Sequence, residues 1–172
     1  MLLTKTFFLL YDYTYILSVK WSVFMRVSVK GRYALAAMIH IATSYCSDKY
    51  ITVISISDKL GISKIYLEQV FSLLKRGGLV NSVKGARGGY QLSRTPAQIT
   101  VLEVLSAVEL TLFETTEATV TEKAPEIEKA MHVSAFDVLD LTVKNTLGDI
   151  TLADLVTSAK EHSADSGFMF YI

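Results

Sequence analysis

A chain of 172 residues with 51% hydrophobic content can bury a sizeable core, which sets it apart from disordered tails. Its single cysteine, Cys46, excludes an intrachain disulfide framework, a CxxC zinc site and a cysteine-ligated cluster, and a reducing, cytoplasmic setting is expected. The zero formal charge hides an asymmetry that suits a polyanion-binding module joined to something that avoids polyanions: residues 25–98 carry eleven Lys and Arg against Asp48, Asp58 and Glu68, and residues 99–172 carry four against thirteen acids.

Residues 1–24 are apolar and aromatic, but Lys5, Asp12 and Lys20 interrupt them. No uncharged run is long enough to span a bilayer, and Asp12 breaks the clean stretch that a secretory signal needs, so no membrane partner is expected. These residues are read as an N-terminal extension, with translation of the folded unit starting at Met25. From Lys30 to Tyr45, Tyr33, Leu35, Ala37, Met38, Ile41, Ala42 and Tyr45 recur at helical spacing and predict a first helix. His40 within it has no companion ligand and is assigned no function.

Thr52 can cap a short helix with Val53, Ile56 and Leu60 on its apolar side, and Gly61 supplies a tight turn. Ser63 can cap the next helix, in which Leu67, Val70, Phe71 and Leu74 follow the i, i+3, i+4, i+7 rule and Gly77-Gly78 ends the run. Lys64, Ile65, Glu68, Gln69, Ser72, Lys75 and Arg76 fall on the remaining surface. Two such helices about a Gly turn form a helix-turn-helix, whose second helix enters the DNA major groove. Leu79–Val83 and Tyr90–Ser93 read as two strands joined by the turn Lys84-Gly85-Ala86-Arg87-Gly88-Gly89, which places Lys84 and Arg87 where a wing meets phosphates or the minor groove. That glycine-rich turn lacks both the spacing of a phosphate-binding loop and its strand-to-helix context.

After Pro96, Thr100 can cap a helix from Val101 to Val108. Thr111–Thr121 is polar and reads as a loop, and Pro125–Leu147 as a long helix closed by Gly148. This helix carries one stripe of Ile127, Met131, Ala135, Val138 and Thr142 and a second of Phe136, Leu139, Val143 and Leu147. Apolar residues on two sides call for two partners, its own domain and the same helix of a second subunit, the alternative being a core helix buried wholly within one domain. A capped short helix over Ile150–Val156 is expected to pack back. The domain plan is therefore an extension (1–24), a winged-helix domain (25–98), a connecting helix, loop and dimerisation helix (99–160), and a tail (161–172).

Several segments together resemble the Rrf-two family of winged-helix transcriptional regulators: MRVSVKGRYAL from Met25, GISKIYLEQVFSLLKRGGLV from Gly61, SVKGARGGYQLSR from Ser82, ITVLEVLSAVE from Ile99 and DITLADLV from Asp149. The resemblance implies a mainly α fold with a small β wing, a winged helix-turn-helix domain with a long C-terminal dimerisation helix, and a homodimer that binds a partly palindromic double-stranded DNA operator; the leading expectation is a repressor. Tyr66, Glu68 and Gln69 match the family's recognition-helix motif and Lys84 the basic residue of its wing. The chemistry agrees: Gln can read adenine bidentately, Glu can accept from cytosine N4, and Tyr can donate to a phosphate oxygen. Lys64, Lys84, Arg87 and Arg94 are expected on the DNA backbone or minor groove. Ile65 stands where relatives often have a small polar residue, which leaves the base preference open, and Arg87 adds a cation to the usual glycine-rich tip.

Cluster-binding relatives carry three cysteines before the long helix, and Phe113–Met131 has none, so no iron-sulfur cofactor and no metal are expected. His132, near a ligand position of such relatives, is read as a surface residue, and Cys46 as an ordinary packed thiol. The alternative function is a regulatory interaction module whose DNA binding depends on a protein co-regulator such as a metabolic enzyme. An enzyme is not expected, because no Cys-His or Ser-His-Asp grouping occurs and His40, His132 and His162 are scattered.

Overall fold

The structure, a computed structural model, describes residues 27–45, 49–85, 88–109 and 119–167. The N-terminal extension with Met25, Cys46, Arg87 and most of the expected 111–121 loop lie outside the described residues.

Helix α1 (Val29–Thr43) begins where the Ser28 hydroxyl accepts the Gly31 N–H at 3.2 Å. Ala34, Ala37, Met38 and Ile41 form its buried stripe, while Tyr45 is exposed beyond its end. Thr52 caps α2 (Val53–Leu60) through the Ser55 N–H, and Gly61 ends it at φ 64°, a left-handed conformation that a side chain would strain. Ser63 caps α3 (Lys64–Arg76) through the Tyr66 N–H, and Leu67, Val70, Phe71 and Leu74 are buried as the periodicity predicts. At the far end the Leu79 N–H reaches back to the Leu74 carbonyl and the Gly78 N–H to that of Lys75, which turns the chain into the wing.

The wing pairs β1 (Val80–Val83) with β2 (Gly89–Leu92) antiparallel, in the register Val80 with Leu92 and Val83 with Gly89. The sheet also has a member that periodicity did not reveal. Ile51, between α1 and α2, exchanges both backbone hydrogen bonds with Tyr90 at 2.9 Å. Gly89 is required by that approach, since a Cβ there would collide with the Ile51 carbonyl oxygen. Phe71 stacks on Tyr90 with centroids 4.1 Å apart and planes 11° from parallel, so α3 and the wing share one core.

Helix α4 (Val101–Val108) starts with a reciprocal cap: the Thr100 hydroxyl accepts the Glu103 N–H, and the Glu103 carboxylate accepts the Thr100 N–H. Burial opposes ionisation of Glu103, but the Thr100 N–H and the Arg94 guanidinium outweigh it and hold its carboxyl below the usual range. Thr151 and Asp154 build the same cap at the start of α7 (Leu152–Gly167). The two helix starts are joined by hydrogen bonds from the Val101 N–H to the Ile150 carbonyl and from the Leu152 N–H to the Ile99 carbonyl, both 2.9 Å. Leu152 then enters the N-terminal core, with Leu155 and Val156 packed on it. The returning helix was expected to be short; it runs past residue 160 into the segment read as a tail.

The long helix is unbroken along the chain but not uniform in winding. Helix α5 (Pro125–Met131) passes through a π turn at His132–Phe136 into α6 (Asp137–Asp149). The Asp137 N–H reaches the His132 carbonyl, five residues back, and the extra residue shifts the faces of the two halves relative to each other. Neither expected stripe is buried along its length: Ile127, Phe136, Val138 and Leu139 are exposed, and only Met131, Val143 and Leu147 are half-buried. Of the described residues in the two stripes, only Met131 of the first and Val143 and Leu147 of the second are thus even partly covered.

Glu128 is the one buried charged side chain among the described residues. Its Oε2 accepts the Val120 N–H at 2.9 Å and the Thr119 N–H at 3.2 Å, and its Oε1 lies 3.1 Å from His132 Nε2. The Val120 N–H foremost, then that of Thr119 and the His132 ring, keep its carboxyl below the usual range against the opposing effect of burial. No helix among the described residues is long and apolar enough to cross a membrane.

Candidate nucleic-acid interface

Between α3 and the wing lies an open groove of about 600 Å³. Its floor is Phe71 and Tyr90, one wall is the Lys64, Glu68, Ser72 and Lys75 edge of α3, and the other is Ser82, Val83, Lys84 and Gly85 of the wing. Thr52, Val53 and Ile54 close one end with the start of α2. Helix geometry explains the polar wall, because residues spaced like 64, 68, 72 and 75 fall on one side of a helix whose opposite side is buried. Burial, and after it the charge of Glu68, pushes the Tyr90 hydroxyl above its usual value, so the floor is a neutral phenol.

The groove is rimmed by three lysines and one carboxylate. Lys64 Nζ stands 3.6 Å from Glu68 Oε1, with both side chains about half exposed. Such a surface pair contributes at most about 1 kcal/mol and is easily exchanged for a phosphate or a base edge. Lys75 Nζ donates to Ser82 Oγ at 2.7 Å, which ties α3 to the wing. Lys84 is exposed at the wing's turn.

The site residues expected from sequence divide into five groups. Lys64, Glu68 and Lys84 meet in the groove. Gln69 lies further round α3, in a shallower depression shared with Lys30, Ile65, Glu68, Ser72 and Leu73. Tyr66 is 40% exposed and its ring meets Tyr33 of α1 edge-on at 5.4 Å, a contact that fixes the direction of its hydroxyl. Arg94 is not among the residues lining either depression: it donates to Glu103 at 2.9 Å and to the Gln98 carbonyl at 3.2 Å. Arg87 lies outside the described residues. Sequence reasoning passed over Lys75 and Thr52; the former was legible as i+11 from Lys64, on the same helical edge.

Residues 27–158 match the Rrf2 family, described as an iron-dependent transcriptional regulator. The chain belongs to the Rrf2 family. It is 37% identical over 132 residues to the HTH-type transcriptional regulator IscR of Xenorhabdus nematophila, covering 77% of this chain and 79% of that one. A putative HTH-type transcriptional regulator of Azotobacter vinelandii is 49% identical over 84 residues, a match spanning 49% of this chain and 51% of the relative. Among solved structures, IscR of T. potens superposes with a TM-score of 0.63 at 32% identity, covering 86% of this chain and 98% of that one. CymR, the global cysteine regulator of B. subtilis, gives 0.60 at 31%, covering 78% and 98%.

This Rrf2-family chain is a DNA-binding transcriptional regulator, not an enzyme, with a winged-helix architecture. The family description names iron, and the residues present do not fit a thiolate-bound iron centre. One cysteine in 172 residues cannot furnish such a ligand set. The carboxylate of Glu128 is already engaged by Thr119, Val120 and His132, and no group of three or more His, Cys, Asp or Glu gathers around a common point among the described residues.

Proposed function

We propose that the protein is a homodimeric, sequence-specific repressor of the cytoplasm whose input is not an iron-sulfur cluster. In this reading α3 lies in the major groove, with Glu68 accepting from cytosine N4, Gln69 pairing with adenine and Tyr66 donating to a phosphate. Lys64 and Lys84 neutralise phosphates from the two walls of the groove, Arg87 extends the wing's charge, and Lys75 joins them. Arg94 serves instead to hold Glu103 and the start of α4. The observation that carries the reading is the meeting of Lys64, Glu68, Lys75 and Lys84, with the start of α2, on one open surface. Dimerisation is supported by Phe136, Val138, Leu139 and Leu141, large apolar side chains exposed along one helical run.

Selection of bound sequences from random double-stranded DNA with the full chain tests both parts at once. A two-fold symmetric site with half-sites about one helical turn apart is expected. Enrichment of no sequence would end the DNA reading, and enrichment of a lone asymmetric half-site would end the dimer. DNA binding that requires an added metabolic enzyme would favour the co-regulator alternative.

A further inference from the structure

Among the described residues Ile65 is the most exposed of the large hydrophobic side chains, at 71%. Single exposed apolar residues need no explanation on an ordinary surface, but this one sits at the tip of α3. Ser63 is the cap, Lys64 the first helical residue and Ile65 the second, so Ile65 precedes Glu68 and Gln69 by three and four residues on the same face. The three line one shallow depression together with Ser72. Helical side chains lean towards the N-terminus, which carries Ile65 ahead of the two polar residues, and the N-terminal residues of a recognition helix are the ones that reach base edges.

We infer that Ile65 is a specificity-determining residue that reads the 5-methyl group of one thymine in each half-site. This rests on the DNA reading of α3 proposed above. Of the groups that bases present in the major groove, only the thymine methyl is apolar. An isoleucine facing the cytosine N4 amine or the adenine N6 amine would strip water from a donor and return no hydrogen bond, so it discriminates against both while favouring thymine. A β-branched side chain has few rotamers to lose on docking, which suits it to a fixed contact.

The test is a methyl scan. On the duplex selected by the wild-type chain, each thymine is replaced in turn by uracil, which removes only the methyl, and the affinities of the wild type and of Ile65→Ser are measured. The wild type should lose about fourfold at one thymine per half-site, the effect of one buried methyl-sized group, and roughly fifteenfold when both half-sites are changed. The Ile65→Ser chain should bind thymine and uracil duplexes alike at that position. Because each protein is compared with itself on two duplexes, an overall change in its affinity does not confuse the result, and an exposed side chain leaves the core untouched. Tight specific binding with no methyl-sensitive position, or the same methyl sensitivity in Ile65→Ser, overturns the inference alone. Failure of the wild type to bind any duplex specifically overturns the DNA reading and this inference with it.

Discussion

Helices α3 and α6 are each thirteen residues long, yet α3 buries Leu67, Val70, Phe71 and Leu74 while α6 buries none of its residues. In α3 the buried apolar residues occupy one face, its own domain covers that face, and the opposite face is left polar and charged for a ligand, with Ile65 the one exposed aliphatic side chain on it. In α6, Val138, Leu139 and Leu141 are exposed, and none of the described residues covers them. One helix is complete within a single chain and displays chemistry. The other is incomplete and displays apolar area. Charge separates them in the same way, with three lysines around the α3 groove and Asp137, Asp140 and Asp149 on α6. The carboxylates of α6 are repelled by DNA, while its exposed apolar side chains gain by burial against another surface, so the binding and pairing surfaces do not compete.

The largest effect that would break this comparison is in the shared core. Phe71→Ala should remove about 3–5 kcal/mol of unfolding free energy, because the side chain is fully buried and stacked on Tyr90. A loss under about 1 kcal/mol in denaturant titration would mean that α3 and the wing do not share a core. Next, Leu139→Asp, on the bare helix, should weaken self-association by ~2 kcal/mol or more, as truncation at a central contact does. Sedimentation should show a monomer at concentrations where the wild type is dimeric; an unshifted dimer would place the interface elsewhere.

Smaller again, Lys75→Ala with Lys84→Ala should weaken binding to all sequences and reduce the salt slope by about two, roughly one per lost phosphate contact. An unchanged slope would remove both from the interface. The smallest effect concerns His40, whose pKa is lowered below 6.5 by burial and then by Lys59. A lowered folded-state value means that this contribution to stability is complete above 6.5 and is lost as pH falls through the folded value. His40→Gln should therefore flatten the stability curve just below pH 6.5. The decline at more acid pH should remain, because Glu103 and Glu128, both held below 4.5, contribute above that value and lose their contribution below it.

What could be read from the sequence was what local chemistry writes there. Thr52, Ser63 and Thr100 announce helix starts because each side chain accepts an N–H from the turn that follows, and all three do so. The wing was legible because its glycines and alternating residues have no other economical arrangement. Ile51 was not, since a single residue pairing with Tyr90 leaves no period to detect. The π turn escaped because one extra residue in His132–Phe136 alters winding without altering composition. Arg94 was expected on the DNA backbone or minor groove; its ion pair with Glu103 across the Pro96–Gln98 turn was not legible, because no helical spacing indicates a contact between residues nine apart. The returning helix read as ending near Val156, where the sequence turns polar, yet α7 continues to Gly167 from a start anchored by Leu152, past residue 161 where the tail was placed.

The central claim is that the exposed face of α3 reads bases while the lysines around it hold the backbone. The ratio of affinities for the selected duplex and for an unrelated duplex, in wild type and in Glu68→Ala with Gln69→Ala, tests it most directly. Loss of two base-reading side chains should reduce that ratio by about tenfold or more, with binding to the unrelated duplex kept or, once the Glu68 charge is gone, strengthened. An unchanged ratio would contradict the assignment of α3 as the reading helix.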